Sequence, residues 1–288
     1  MTAPVTTLIT ITTAPMLDYD FMRTGFAAAG IVALLAGIVG FFLVLRGQTF
    51  AGHALSHVGF TGATGAVLFG LPPLAGLVGF TVLAGFAMGL LGEKLSERDV
   101  AIGMMLSLAL GLGLLFLHFF TSYASQAAAL LFGNVLGVDN RALASLAILA
   151  AISLAALGLI AKPLLFASLQ SELAEAKGVP IRFVSTAFLM IVGVAVAECA
   201  QIVGVLLVFT LMVGPAAAAL SFTRRLYAAV ALSAALALLE AWGGLTLAFY
   251  SDWPVSFWIT ALSGAVYFAS LANWRGMGRA SGEAERRA

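Results

Sequence analysis

The chain has 288 residues, of which 62% are hydrophobic and only 9% are charged, and its mean hydropathy is +1.08. Because soluble domains carry about 25% charged residues, this composition excludes an ordinary soluble domain and predicts an integral membrane protein in contact with lipid. A net charge of +1 is no signal for nucleic acid, which we do not expect as a partner. The single cysteine, Cys199, excludes an internal disulfide framework and a CxxC motif.

The predicted fold class is all-α, a polytopic membrane helical bundle of eight or nine transmembrane helices. Residues 1–20 are interpreted as an N-terminal tail, because 1–16 are Thr-rich and lack the basic flank and apolar core of a signal peptide. A helix that crosses the hydrocarbon layer needs about 20 mostly apolar residues. This predicts a transmembrane domain over 21–273 and a cytoplasmic tail over 274–288. The candidate spans are 25–45, 50–70, 73–92, 100–120, 142–161, 182–200, 202–222, 227–249 and 254–273.

The basic residues predict the orientation, because Lys and Arg accumulate in cytoplasmic loops. Alternation of nine spans puts all but two of the 14 Lys and Arg residues on one side. The exceptions are Arg23 and Arg141. We therefore expect an outer N-terminus and an inner C-terminus, although eight spans would reverse part of this assignment. The apolar, Gly-broken segment 122–140 is interpreted as a re-entrant element at the outer side.

Ionisable residues at membrane depth are costly and usually functional. His53 and His57 are four residues apart in FAGHALSHVGF, so on a helix both side chains project from the same face. Two such imidazoles can hold a divalent transition metal, with a carboxylate from another helix completing the ligand set. The alternative is a structural role, because a lone buried histidine is more often hydrogen-bonded than a metal ligand.

The remaining ionisable residues of the spans have alternative readings. Glu198, near the outer end of its span, is either functional or a carboxylate that reaches the interface. Glu240 is either functional or a hydrogen-bond partner between helices, and His118, beside two phenylalanines, is interpreted as interfacial. The sequence has no GxxxxGK[ST] phosphate loop and no Ser/His/Asp or paired-carboxylate arrangement. We therefore expect no catalytic residues in this chain.

Five segments, in order, resemble the integral-membrane permeases of bacterial zinc, manganese and iron ABC importers, over about residues 20–272. The first is FFLVLRGQTFAGHALSHVGFTGA, which is similar to that family's Val-Leu-Arg followed by Gly-Asp-Ala-Leu-Ser/Ala-His. The others are ERDVAIGMMLSLALGLGLLFL, LLFGNVLGV, ELAEAKGVP and IVGVLLVFTLMVGPAAAA.

The resemblance implies a permease of the bacterial inner (plasma) membrane that forms a homodimer. Its partners would be an ATP-binding cassette ATPase subunit below the membrane and an extracytoplasmic metal-binding protein above it. The transported substrate would be Zn²⁺, with Mn²⁺ or Fe²⁺ as the alternatives, and no cofactor would be bound permanently. Import rather than export follows from the resemblance alone.

The resemblance also implies roles for individual residues. In the family, the Asp and His of the first motif are thought to contact the metal, and here His57 occupies the histidine position and His53 the aspartate position. Because imidazole is a softer ligand than a carboxylate, this departure favours zinc over manganese. Two neutral imidazoles do not offset the charge of a dication, which makes Glu198 a candidate third ligand.

The loop 162–181 is the longest polar interruption between predicted spans. Its run SELAEAKGVP predicts a short helix from Ser171 to Lys177, ended by a glycine and a proline. By resemblance this is the coupling helix that contacts the ATPase. The predicted ATPase-coupling residues are Glu172, Ala174, Ala176 and Gly178.

Two other functions remain open from the sequence. One is an ABC permease for chelated iron or a corrinoid, although a pathway for a bulky ligand would not need two histidines. The other is a proton-coupled secondary metal carrier that uses Glu198 or Glu240, which would need no contact with an ATPase.

Overall fold

The computed structural model describes residues 16–91, 95–119, 131–223 and 225–285, and every regular element in these ranges is helical. Residues 1–15 of the predicted tail and residues 120–130 of the predicted re-entrant segment lie outside the described residues. So do the last residues of the predicted cytoplasmic tail, 286–288. The described part of segment 122–140 contains a 3₁₀ turn, Val135–Gly137.

Ten α-helices follow one another in the described residues, and nine of them overlap the nine predicted spans. They are α1 (Asp20–Leu45), α2 (Thr49–Leu68), α3 (Pro73–Leu90), α4 (Leu95–His118), α5 (Asn140–Leu169), α6 (Ser171–Ala176), α7 (Ile181–Val203), α8 (Val208–Phe222), α9 (Leu226–Ser251) and α10 (Val255–Glu285). The short α6 is the helix predicted in the 162–181 loop, with Lys177 as its C-cap residue.

Seven of the described helices are long and apolar enough to cross a membrane, namely α1, α3, α4, α5, α7, α9 and α10. Helix α2 has 20 residues but carries two histidines and several small polar residues, so its composition is less apolar. Helix α8 has only 15 residues. The prediction of a full span over 202–222 is therefore corrected, because residues 204–207 form a turn and the helix begins at Val208.

Helices α1 and α7 form the centre of the bundle. Their most apolar windows are 72% and 78% buried, whereas those of α4 and α10 are only 17% buried. Helices α2 and α3 pack against α7 on one side of the centre, and α8 and α9 pack against α1 on the other. The chain itself therefore leaves most of the apolar surface of the peripheral helices uncovered.

Helices α2 and α3 approach each other most closely at Gly62 and Gly76. A Cβ atom added to either glycine would collide with the backbone carbonyl of the other. In lipid, small residues at such crossings let helix backbones come together and gain packing energy. This contact sets how α2 is turned, and thus which of its side chains remain open.

Two glycines join the start of α8 to the segment before α5. Gly133 and Gly204 have φ angles of +81° and +87°, a region that side chains strongly disfavour, and their backbones lie against each other. The amide of Leu206 donates to the carbonyl of Leu131 at 3.3 Å. The turn after α7 is therefore held in place, and it positions the first residues of α8.

Candidate metal-binding site

Helix α2 leaves one stripe open along its first three turns. Phe50 is 39% exposed and His53 and His57 are half-buried, whereas every other residue from 51 to 66 is buried. The three residues follow one another at spacings of three and four, so they lie on one side of the helix. Both histidines therefore occupy the only stripe of this part of α2 that the neighbouring helices do not cover.

The two imidazole rings are neighbours. The ring centroids of His53 and His57 are 4.8 Å apart with an interplanar angle of 85°, and the centroid of Phe209 in α8 is 5.4 Å from that of His53. Among the described residues, no side chain or backbone group forms a hydrogen bond with either imidazole. The purely structural alternative, in which each ring is held by such a bond, has no support in this geometry.

The polar neighbours of the histidines on α2 are bonded elsewhere. Ser56 donates to the backbone carbonyl of His53 at 2.7 Å, and it is 1% exposed. Thr61 donates to the carbonyl of Ala109 at 2.5 Å and so ties α2 to α4. Such bonds satisfy hydroxyl groups where no water is at hand. Because these hydroxyl groups are already bonded, the two imidazoles are the polar groups of the open stripe that are available to bind a ligand.

Glu198 and Glu240 are buried carboxyls on separate helices, α7 and α9. Glu198 is 0% exposed and Glu240 is 2% exposed, and none of their carboxyl oxygens has a hydrogen-bond partner within the described part of the chain. Ser263 lies beside Glu240, but its hydroxyl donates to the carbonyl of Thr210 at 3.2 Å. The interfacial alternative for Glu198 does not fit its complete burial. Buried polar atoms without partners are rare in native proteins, so both carboxyls are candidates for a functional role.

A complete metal site within one chain does not form in the described ranges. No three His, Cys, Asp or Glu side chains there come together in a way that could hold a metal ion. Glu198 is therefore not gathered with His53 and His57 into a three-ligand group. The pair offers two of the four ligands that zinc usually takes. His118 lies apart from it, exposed at the end of α4 with its ring 5.7 Å from that of Phe119.

Helix α6 presents only some of the residues predicted to contact an ATPase. Glu172, Ala176 and Gly178 are exposed, but Ala174 is 0% exposed. The prediction that α6 presents Ala174 to a partner is corrected, because this side chain faces the bundle and holds α6 against it. Leu173, which the sequence reasoning missed, is 45% exposed and adds apolar surface beside Glu172.

A second feature that the sequence did not indicate is a cavity at the other end of α2. Its volume is about 590 Å³, and it lies between the α2–α3 turn, the segment before α5, and the end of α7. Its polar lining includes Asn134, Asp139, Arg141 and Gln201. These residues come from distant parts of the sequence, so no local pattern could have identified them as neighbours.

Comparison with known proteins identifies the family. The model of the ABC 3 transport family matches residues 18–273, which is nearly the whole described bundle. The chain belongs to the ABC 3 transport family. The resemblance found in the five sequence segments is thereby confirmed, together with the all-α, multi-pass fold and the location in the bacterial inner membrane.

Several known proteins are similar to this chain along most of its length. The manganese transport system membrane protein MntC of Listeria monocytogenes is 27% identical over 231 residues, 80% of this chain and 82% of that protein. A probable iron transport system membrane protein of Haemophilus influenzae is 28% identical over 263 residues, 89% of this chain and 94% of that protein. The structure of PsaBC from Streptococcus pneumoniae in complex with Fab superposes with a TM-score of 0.81 at 25% identity, covering 91% and 95% of the two chains.

Proposed function

We propose that this chain is the permease subunit of an ATP-driven importer of a divalent transition metal, with zinc as the preferred substrate. The observation that carries the proposal is the pair of imidazoles on the open stripe of α2, which have no hydrogen bond among the described residues, in a chain of the ABC 3 transport family. Relatives named as manganese and probable iron transport proteins support a metal as the substrate class.

The preference for zinc follows from the ligands. Carboxylate and carbonyl oxygens suit manganese, whereas imidazole suits zinc and other borderline metals. This chain has imidazole at His53, the position at which the first motif of the family has aspartate. The exchange of an oxygen ligand for a nitrogen ligand therefore supports zinc over manganese for this member.

The incomplete ligand set supports a homodimer. One chain supplies two imidazoles on an open stripe that is flanked by two exposed phenylalanines, Phe50 at 39% and Phe209 at 37% exposure. A two-fold axis beside this stripe would bring a second pair to the first and complete a four-nitrogen shell. Such a shell, shared between two subunits, opens when they move apart, so the metal is held in transit and then released.

In the cycle that we propose, a binding protein delivers the metal at the outer face, and the ATPase acts on α6 at the inner face. The exposed residues Glu172, Leu173, Ala176 and Gly178 provide the contact with the ATPase. Binding and hydrolysis of ATP on the partner would change the side of the membrane to which the pathway between the paired α2 helices opens.

Uptake of radioactive zinc tests the proposal. The strain has lost its own copy of the permease, and a plasmid supplies the permease together with its ATPase. We expect uptake that depends on both proteins and that ceases when the ATPase carries a hydrolysis-deficient substitution. Uptake that survives loss of the ATPase would instead support a secondary carrier that uses the buried Glu198 or Glu240. Uptake of iron chelates or corrinoids in place of the free metal would support the permease for bulky ligands.

The substitution His53→Asp tests the ligand role of His53. It restores an oxygen ligand next to His57, so manganese uptake should rise relative to zinc uptake, by about tenfold or more if the site loses roughly 1.4 kcal/mol of selectivity. Competition between the two metals in the uptake assay measures this ratio. His118→Asp, at an exposed histidine outside the pair, is the matched control and should leave the ratio unchanged. An unaltered ratio in His53→Asp would refute the ligand role.

A further inference from the structure

The turn between α1 and α2, the helix that carries His53 and His57, is hydrogen-bonded to α5 and α7, the two helices that flank α6. Arg46 donates from Nη1 to the hydroxyl of Ser168 at 3.1 Å and from Nη2 to the hydroxyl of Ser185 at 2.7 Å. Its guanidinium carbon also lies 5.8 Å from the ring centroid of Phe188, which is fully buried. One side chain therefore joins the end of α1, the last turn of α5 and the beginning of α7.

The backbone between Arg46 and α2 is short and fully bonded. The amides of Arg46, Gly47 and Gln48 donate to the last carbonyls of α1 at 3.0 Å each, and Gly47 has a φ of +63°. This is the Schellman arrangement that ends a helix without slack. Helix α2 starts at the next residue, Thr49, and His53 follows about 6 Å further along its axis. Only Gly47 and Gln48 therefore separate Arg46 from the helix that carries the imidazoles.

Helix α6 is also joined closely to its flanking helices α5 and α7. Gln170 is both the C-cap residue of α5 and the N-cap residue of α6, so a single residue separates the two helices. The buried Ala174 packs inward and its carbonyl accepts a hydrogen bond from the amide of Val179 at 3.0 Å. Lys177 lies 5.8 Å from the ring centroid of Phe166 in α5. Ser168 lies three residues before the first residue of α6, in the last turn of the helix to which α6 is joined.

The turn also contains a polar atom that the present arrangement leaves unsatisfied. Gln48 is 3% exposed, and its Oε1 atom has no hydrogen-bond partner among the residues that the structure describes. A buried acceptor without a partner costs free energy. A second arrangement of the turn that pairs this atom would recover that cost, as a two-state element requires.

We propose that Arg46 is a positioning residue that transmits movement of α6 to the histidine helix α2 and so links ATP hydrolysis to the metal site. The proposal rests on the proposed function, because it presumes an ATPase that acts on α6. In this proposal, the hydrogen bonds from Arg46 to Ser168 and Ser185 make α2 move together with α5 and α7. A Lys at this position would keep the charge but lose the planar fork that holds two acceptors at once.

The test compares Arg46→Lys and the double variant Ser168→Ala/Ser185→Ala with wild type, in the complex with its ATPase in proteoliposomes. Zinc uptake and ATP hydrolysis are measured on the same sample. We expect hydrolysis to continue while zinc transported per ATP falls at least about fivefold, the lower range of typical coupling between sites. Ser107→Ala is the control, because that exposed hydroxyl donates to the carbonyl of Gly103 in its own helix and to no other helix among the described residues. An unchanged ratio in both variants would overturn the proposal.

Hydrogen exchange provides a second readout that remains informative if a variant loses uptake altogether. In wild type, addition of ATP should alter exchange both in α6 and in the first turns of α2. In the variants, the change in α6 should persist and that in α2 should disappear. Persistence of both changes would overturn the proposal. Failure of wild type itself to take up metal, in contrast, would count against the proposed function.

Discussion

Zinc uptake is expected to fall by at least about 100-fold when His53 and His57 are both replaced by alanine. Even loss of residues that only support a metal ligand weakens a site roughly 10- to 100-fold, and this change removes both of the ligands that we propose for the chain. The stripe is open in the isolated subunit and the imidazoles have no hydrogen bonds to lose among the described residues. The variant should therefore still fold and insert. Radioactive zinc uptake, normalised to the amount of permease in the membrane, measures the effect.

The exposed His118 provides the matched control for this experiment. His118→Ala removes an imidazole at the end of α4, away from the pair, and should leave uptake at the wild-type level. Size-exclusion chromatography of the solubilised complex checks that the double variant still assembles. Wild-type uptake by an intact double variant would show that the pathway does not use these side chains.

The second large effect concerns stability. Gly76→Ala should reduce the free energy of unfolding by about 3 kcal/mol or more, because overpacking of a tight contact forces backbone movement. The new Cβ would lie 2.6 Å from the carbonyl carbon of Gly62 and 2.6 Å from the Cβ of Ala66, and neither atom is the end of a flexible side chain. Thermal unfolding of the purified protein in detergent measures the change.

Gly79 lies three residues further along α3, and Gly79→Ala is the matched control for Gly76→Ala. A Cβ atom there meets nothing within 4 Å, so Gly79→Ala should be neutral or slightly stabilising, since alanine favours a helix by about 1 kcal/mol over glycine. If both variants unfold at the same temperature, the helices α2 and α3 are not in close backbone contact at Gly62 and Gly76. Loss of zinc uptake only in Gly76→Ala would further show that the crossing sets the orientation of α2.

The membrane class, the helix positions and the histidine pair could all be predicted from the sequence. Hydropathy is a local property, and a chain in lipid has to bond its backbone internally, so a run of apolar residues is sufficient to predict a helix. The spacing of His53 and His57 likewise fixes that they share a face once the segment is helical. The error at α8 arose because the turn at Gly204 is as apolar as the helices that it separates.

Only the tertiary structure decided which faces are open and which side chains meet. Glycine and alanine occur on several sides of α2 and α3, so the sequence does not mark which of these sides packs against a neighbouring helix. The contact of Gly62 with Gly76 turns the histidines outward, the packing of α6 turns Ala174 inward, and Arg46 meets serines more than 100 residues away. The sequence by itself determined what the helices are. Packing between segments far apart in the chain determined how they are turned, because in lipid the fit of small residues, rather than hydropathy, selects the contact.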